Sequence, residues 1–407
     1  MQDISLEGDG HAANNPYAAP TTFAAVGSHA ASAPESHPFT FTGTAGSFFA
    51  IWIVNLFLTI ITLGIYSAWA KVRKKRYFYG HTWVGDANFE YHGNPIAILK
   101  GRLIAVAVFA VYSGVGHFMP KVAAALALAL FAAAPWFIVR SMAFNAFNSS
   151  YRNIRFRFQA TYMDVLKAIW PIALVLIFPL VMPEIDRTNK VAPPTLFWVL
   201  FGLQMLAIFA VYPFAIGKLK ILHVNHSQYG AAPFRTDLGV GPFYKIYFLA
   251  LLLAFGAVVL IGIVVGAVVA GAAAAGAGRN AGFIMSILAG LFFMIVYFGM
   301  GSLMLAYTKS RIGNLVLNNT RLGGEVSFTS TLQLRKLWLI YFTNMLGILF
   351  SLGFAIPWAV VRVMRYRADC LTLESSTSLD AFIGGVSAQV SATGEELGEF
   401  FSIDLSL

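Results

Sequence analysis

Two asparagines, Asn55 and Asn344, stand at matched depth in the first and last apolar runs of the chain. An amide among Ile, Leu and Phe can tie two helices together, a bond worth about 1 kcal/mol in a membrane. The twin amides can also give a polar binding point to a solute between two irregular segments. Lys74, Lys75 and Arg76, beside Tyr77, Phe78, Tyr79 and Trp83, form a basic aromatic cluster suited to anionic lipid headgroups. His223 and His226 have the i, i+3 spacing of two metal ligands. A third ligand is missing from the nearby sequence, so a hydrated pair at an interface is expected, and no metal. No nucleophile and base, metal cluster or phosphate loop is visible, and the expectation is a protein without catalytic residues or cofactor, not an enzyme.

All 18 acidic residues fall outside the apolar runs, where an ion-coupled carrier usually keeps a relay carboxylate. Hydrophobic residues make up 58% of the 407 and charged residues 11%, with a mean hydropathy of +0.70, which excludes a soluble domain. The net charge of +10 does not signal nucleic acid, because the basic residues are sorted along the chain. Of 28 Lys and Arg, 24 lie in five blocks at 71–102, 140–167, 218–245, 309–336 and 362–367. That asymmetry marks the five blocks as cytoplasmic. The expected partners are therefore membrane lipids, anionic headgroups among them.

The positioning elements repeat. Trp69-Ala-Lys-Val-Arg73, Trp136-Phe-Ile-Val-Arg140, Phe214-Ala-Ile-Gly-Lys218, Tyr307-Thr-Lys-Ser-Arg311 and Trp358-Ala-Val-Val-Arg362 each close an apolar run. An aromatic residue followed by a cation suits the point where a helix leaves lipid, so Trp69, Arg73, Trp136, Arg140, Trp358 and Arg362 are read as interface anchors. Phe89, Phe156 and Phe234 follow their basic anchors by sixteen residues and Phe328 by seventeen, behind Gly or Asn turns and short alternating patterns. These connectors predict small cytoplasmic strand units.

Six long runs pair as 102–119 with 122–140, 166–183 with 195–217, and 243–272 with 282–306. The first and last runs, 48–70 and 337–361, align without a gap on Asn55 and Asn344, Leu63-Gly64 and Leu352-Gly353, and Trp69 and Trp358. Copies should start and finish on one side of the bilayer, so each reads as a re-entrant hairpin turning at Leu-Gly. The resulting fold class is an all-α polytopic membrane protein with six full transmembrane helices in three hairpins, two re-entrant hairpins and short strand elements; eight transmembrane helices is the alternative. Residues 1–37 read as a disordered acidic tail, 38–373 as the membrane domain and 374–407 as a second acidic tail. The start lacks the basic region of a signal peptide, so insertion is expected to use the spans themselves.

The phrase Leu58-Thr-Ile-Ile-Thr-Leu-Gly-Ile-Tyr-Ser-Ala-Trp-Ala-Lys-Val-Arg73, with Phe39-Thr-Phe-Thr-Gly43 before it and Asn88-Phe-Glu-Tyr-His-Gly93 after it, resembles the YjgN family of bacterial inner-membrane proteins. The resemblance implies a location in the bacterial inner membrane and supplies no catalytic residues. Two functions are expected from the residues: a conduit or transporter-like protein for a small or amphiphilic solute, or a non-catalytic scaffold that holds anionic lipid.

Overall fold

The computed structural model describes residues 35–183, 192–274 and 279–393; of the tails expected at 1–37 and 374–407, residues 1–34 and 394–407 lie outside them, while 35–37 belong to a strand. β1 (Glu35–Phe41) leads into α1 (Ala45–Ile61) and α2 (Ser67–Gly80), which return to β2 (Thr82–Val84). β3 (Ala87–Tyr91), α3 (Pro95–Phe118), α4 (Pro120–Phe147) and β4 (Ser149–Tyr151) repeat that plan. The third unit is β5 (Ile154–Phe158), α5 (Tyr162–Ile169), α6 (Pro171–Val181), α7 (Thr195–Asn225) and β6 (Ser227–Tyr229), with α5 and α6 meeting at a 59° bend. β7 (Ala232–Arg235), α8 (Gly241–Ala274), α9 (Arg279–Asn318) and β8 (Arg321–Leu322) form the fourth, and β9 (Val326–Ser330), α10 (Leu334–Phe350), α11 (Ile356–Asp369) and β10 (Leu371–Ser375) the fifth. Helix α12 (Leu379–Thr393) follows. The boundary read at 373 falls inside β10, and α12 lies in the stretch read as a tail.

The ten strands close into one antiparallel barrel in the order β1-β10-β9-β8-β7-β6-β5-β4-β3-β2. This corrects the all-α expectation: the separate strand units are parts of a single sheet. The physical reason is that a strand of two to seven residues cannot stand alone, whereas closure pairs every edge. Tight turns join the units, and their first residues are left-handed: Gly85, Arg152, Gly230 and Gly323 have φ of 55°, 46°, 56° and 62°.

Each helical pair stands between two neighbouring strands, and the second helix of each unit packs on the first helix of the next. Among the described residues five helices are long and apolar enough to cross a membrane, or six with α5 and α6 counted as one bent span. The pairs α1/α2 and α10/α11 are shorter and adjoin each other through α1 and α11. Their 17-residue first helices extend about 26 Å, less than the ~30 Å of hydrocarbon. Both turn the same way, with φ of 50° and 92° at Leu63 and Gly64, and 51° and 94° at Leu352 and Gly353. The Gly64 N–H donates to the Thr59 carbonyl and the Gly353 N–H to the Ile348 carbonyl, both at 2.8 Å, closing Schellman motifs. Leu63 and Leu352, 94% and 89% exposed, form the hairpin tips. An apolar tip held in a conformation that costs a leucine about 1–2 kcal/mol suits immersion in lipid.

Helix α12 lies across the barrel mouth at the turn end. Leu379, Ile383 and Val386 join Val84, Tyr151, Tyr229, Leu322 and Leu373 in one buried cluster, and Arg152 at one turn pairs with Asp380. Gly230 is where α12 comes closest: an added Cβ would stand 2.7 Å from Val386 and 2.8 Å from Val390. Gly230→Val should therefore lift α12 from the mouth. Limited chymotrypsin digestion is expected to cut after Phe382 several-fold faster in this variant, and at the wild-type rate in Gly46→Val, where the space is open.

Candidate functional site

The five repeated phrases fall on α2, α4, α7, α9 and α11. In four of them the cation folds back over its own aromatic partner: Arg140 on Trp136 at 5.8 Å, Lys218 on Phe214 at 5.9 Å, Arg311 on Tyr307 at 5.9 Å and Arg362 on Trp358 at 5.1 Å. The first copy differs, for Arg73 donates to the Tyr66 hydroxyl at 3.2 Å while Trp69 stacks on the Tyr66 ring.

Asn55 and Asn344 are buried, each inside its own hairpin. Asn344 donates to the Ala359 carbonyl at 3.1 Å and accepts from Arg362 at 3.2 Å; Asn55 accepts from Arg73 at 3.5 Å. The two amides therefore tie helix to helix and to the interface cation, and neither faces the axial space described next. Lys74 and Arg76 are exposed, while Lys75 turns inward to the Asn145 side chain and lies 4.5 Å over the Tyr91 ring. Burial, then the nearby Lys71 charge, lowers the Lys75 pKa, and burial pushes the Tyr91 phenol up to about 12. The basic cluster is thus divided between an outer face and the interior. The two histidines also part: His226 lies 3.5 Å from Asp164, whereas His223 lines the axial space.

That space is a chamber of about 800 Å3 along the barrel axis, reaching into the barrel ends of the helices. Its lining repeats with the chain. Phe78, Asn145, His223, Val316 and Arg367 each stand five residues beyond their basic anchors, and all five line it. Nine residues beyond the anchors come Thr82, Ser149, Ser227, Thr320 and Leu371, a belt with four hydroxyls. The next layer is an apolar girdle with one residue from each of the ten strands. Its members are direct cross-strand partners: Phe39 with Val84, Phe89 with Tyr151, Phe156 with Tyr229, Phe234 with Leu322, and Phe328 with Leu373.

Consecutive girdle phenylalanines lie 6.1–6.4 Å apart with interplanar angles of 11–27°. The tyrosines lock the layer, because Tyr151 donates to the Val84 carbonyl at 2.7 Å and Tyr229 to the Tyr151 carbonyl at 3.0 Å. Burial raises both phenol pKa values, which keeps the protons in those bonds. Sequence reasoning found four of the five phenylalanines. Phe39 was missed, although it precedes the helix cap Thr44 by the same five residues that separate Phe89 from Asn94, Phe156 from Thr161 and Phe328 from Gln333. Arg157, His223, Lys309 and Arg367 are the basic members of the lining, and no carboxylate joins them among the described residues.

Five helical pairs rooted in a barrel, with apolar spans of membrane length, define a polytopic integral membrane protein. The chain belongs to the family described as bacterial protein of unknown function DUF898, whose profile matches residues 36–400. It is 26% identical over 350 residues to the inner membrane protein YjgN of Salmonella typhimurium, covering 82% of this chain and 88% of that protein. It is also 28% identical over 194 residues to YjgN of Escherichia coli O157:H7, covering 47% of this chain and 41% of that one. A further match, 34% identical over 136 residues, is to YjgN of Escherichia coli K12 and covers 33% of each chain. No solved structure matches the chain. The family resemblance and the bacterial inner-membrane location read from the sequence both hold.

The hairpin ties give a measurable expectation. Asn344→Leu should lower thermal stability in detergent by about 1 kcal/mol through loss of both bonds, and Asn55→Leu by less, because its single bond is long.

Proposed function

We propose that the chain is a conduit for a small or amphiphilic solute, with the axial chamber as its path and α12 as the cover of its barrel end. The observation that carries this reading is the layered lining, to which every repeat contributes at the same offsets. A scaffold requires packing between repeats but no common axial space. Cations and hydroxyls without a carboxylate among the described lining residues suit passive movement better than proton coupling. The competing scaffold reading draws on the exposed Lys71, Arg73, Lys74 and Arg76 of α2, which can hold anionic headgroups from outside.

Proteoliposomes separate the two. Release of entrapped carboxyfluorescein and shrinkage in glycerol should both be faster than in protein-free vesicles. Phe382→Ser, which weakens the seat of α12, should raise the rates several-fold, and Ser227→Trp in the hydroxyl belt should return them to background. Rates equal to protein-free vesicles for both wild type and Phe382→Ser would exclude the conduit. Lys74→Gln with Arg76→Gln should leave flux unchanged; lost binding to phosphatidylglycerol nanodiscs in that variant, without flux in any protein, is the scaffold result.

A further inference from the structure

Two cations line the chamber where it meets the helices, Lys309 on α9 and Arg367 on α11, and Lys220 on α7 stands beside them. Lys309 and Arg367 are near enough for both charges to act on Lys220. Arg367 also acts on Tyr341 of α10, and Lys309, Arg367, Tyr341 and His223 all line the chamber. All three residues are exposed. Where carboxylates are within reach they are used: Arg152 meets Asp86 and Asp380, and His226 meets Asp164. Among the described residues Lys220, Lys309 and Arg367 have no carboxylate at ion-pair distance.

Like charges held together without a counterion repel, and the most direct remedy is an anion seated between them. From this cluster the wall runs through the hydroxyl belt to the girdle, where five phenylalanines face the axis. The polarity of the chamber is therefore graded along its length, charged at the helix end and aromatic at the α12 end. Its volume of about 800 Å3 lies within the ~300–1,000 Å3 typical of small-molecule sites.

We propose that the chamber binds an amphiphile with a compact anionic head, a phosphate or carboxylate, seated between Lys220, Lys309 and Arg367, with its apolar tail against the phenylalanine girdle. This inference rests on the chamber as the path and names the chemistry of what occupies it. The anion comes either from a membrane lipid or from a soluble amphiphile.

Titration calorimetry on the full chain in nanodiscs of zwitterionic lipid tests the inference, with hexyl phosphate, hexanol and inorganic phosphate as probes. Hexyl phosphate should bind at least about tenfold tighter than either fragment. Lys220→Gln with Lys309→Gln should weaken it at least about tenfold. That double variant should melt no lower than wild type without ligand, because it relieves repulsion, and should lose the rise in melting temperature that hexyl phosphate gives wild type. Competition by added phosphatidylglycerol supports a lipid source and its absence a soluble one. Equal affinity for hexanol would overturn the anionic head, equal affinity for phosphate would overturn the tail, and unchanged binding in the double variant would overturn the site. Flux without this binding removes the ligand assignment alone, whereas binding without flux removes the conduit alone.

Discussion

Closure of the barrel is the constraint on which the other parts depend. Strands of two to seven residues contribute too few hydrogen bonds to persist as isolated hairpins, and an open sheet would leave two unpaired edges. Pairing β1 with β10, with His37 opposite Leu373, removes both edges at once. The helical legs then have fixed roots, because each pair leaves one strand and returns to its neighbour. Side-chain bonds secure the roots: Asn225 exchanges two hydrogen bonds with the Thr236 backbone, and Asn318 two with Ser330. Ring order in the membrane follows from strand order in the sheet.

The same closure sets the chemistry of the axis. Strand alternation sends one face of every strand inward, so a repeated residue becomes a ring. Phenylalanine at one level and hydroxyl residues at the next make a graded chamber wall from a pattern that looks modest in any single connector. The helix faces continue the gradation: positions five residues beyond each anchor face the axis, while the aromatic residues at Trp136 and Trp358 remain exposed on the outside.

Much of this was legible, and the part that was not has a physical cause. The Trp69 to Arg73 phrase and its copies located all five second helices, and Leu63-Gly64 and Leu352-Gly353 located both short turns, because these signals are local. The sheet was misjudged for the opposite reason. A strand such as Arg321–Leu322 carries almost no periodicity, and its partners lie in other repeats, so an all-α reading took connectors one at a time. Asn55 and Asn344 drew attention as polar residues in apolar runs, but an amide can serve its own hairpin as well as a ligand, and sequence does not give its direction. Helix α12 was absorbed into an acidic tail by composition, although Leu379, Phe382, Ile383, Val386 and Val390 carry the spacing of a buried helix face. Lys220, Lys309 and Arg367 were counted as topology signals; their convergence exists only once the ring is drawn.

The seam between β1 and β10 also governs the order of biosynthesis. The contacts that shut the ring join residues 35–38 to residues 372–375, so nearly the whole polypeptide must leave the ribosome before they can form. Until then the growing protein carries two sticky sheet margins, one on the earliest strand and one on the latest. Ring completion is therefore the slow, long-range step, and nascent chains that meet before finishing can pair margin to margin.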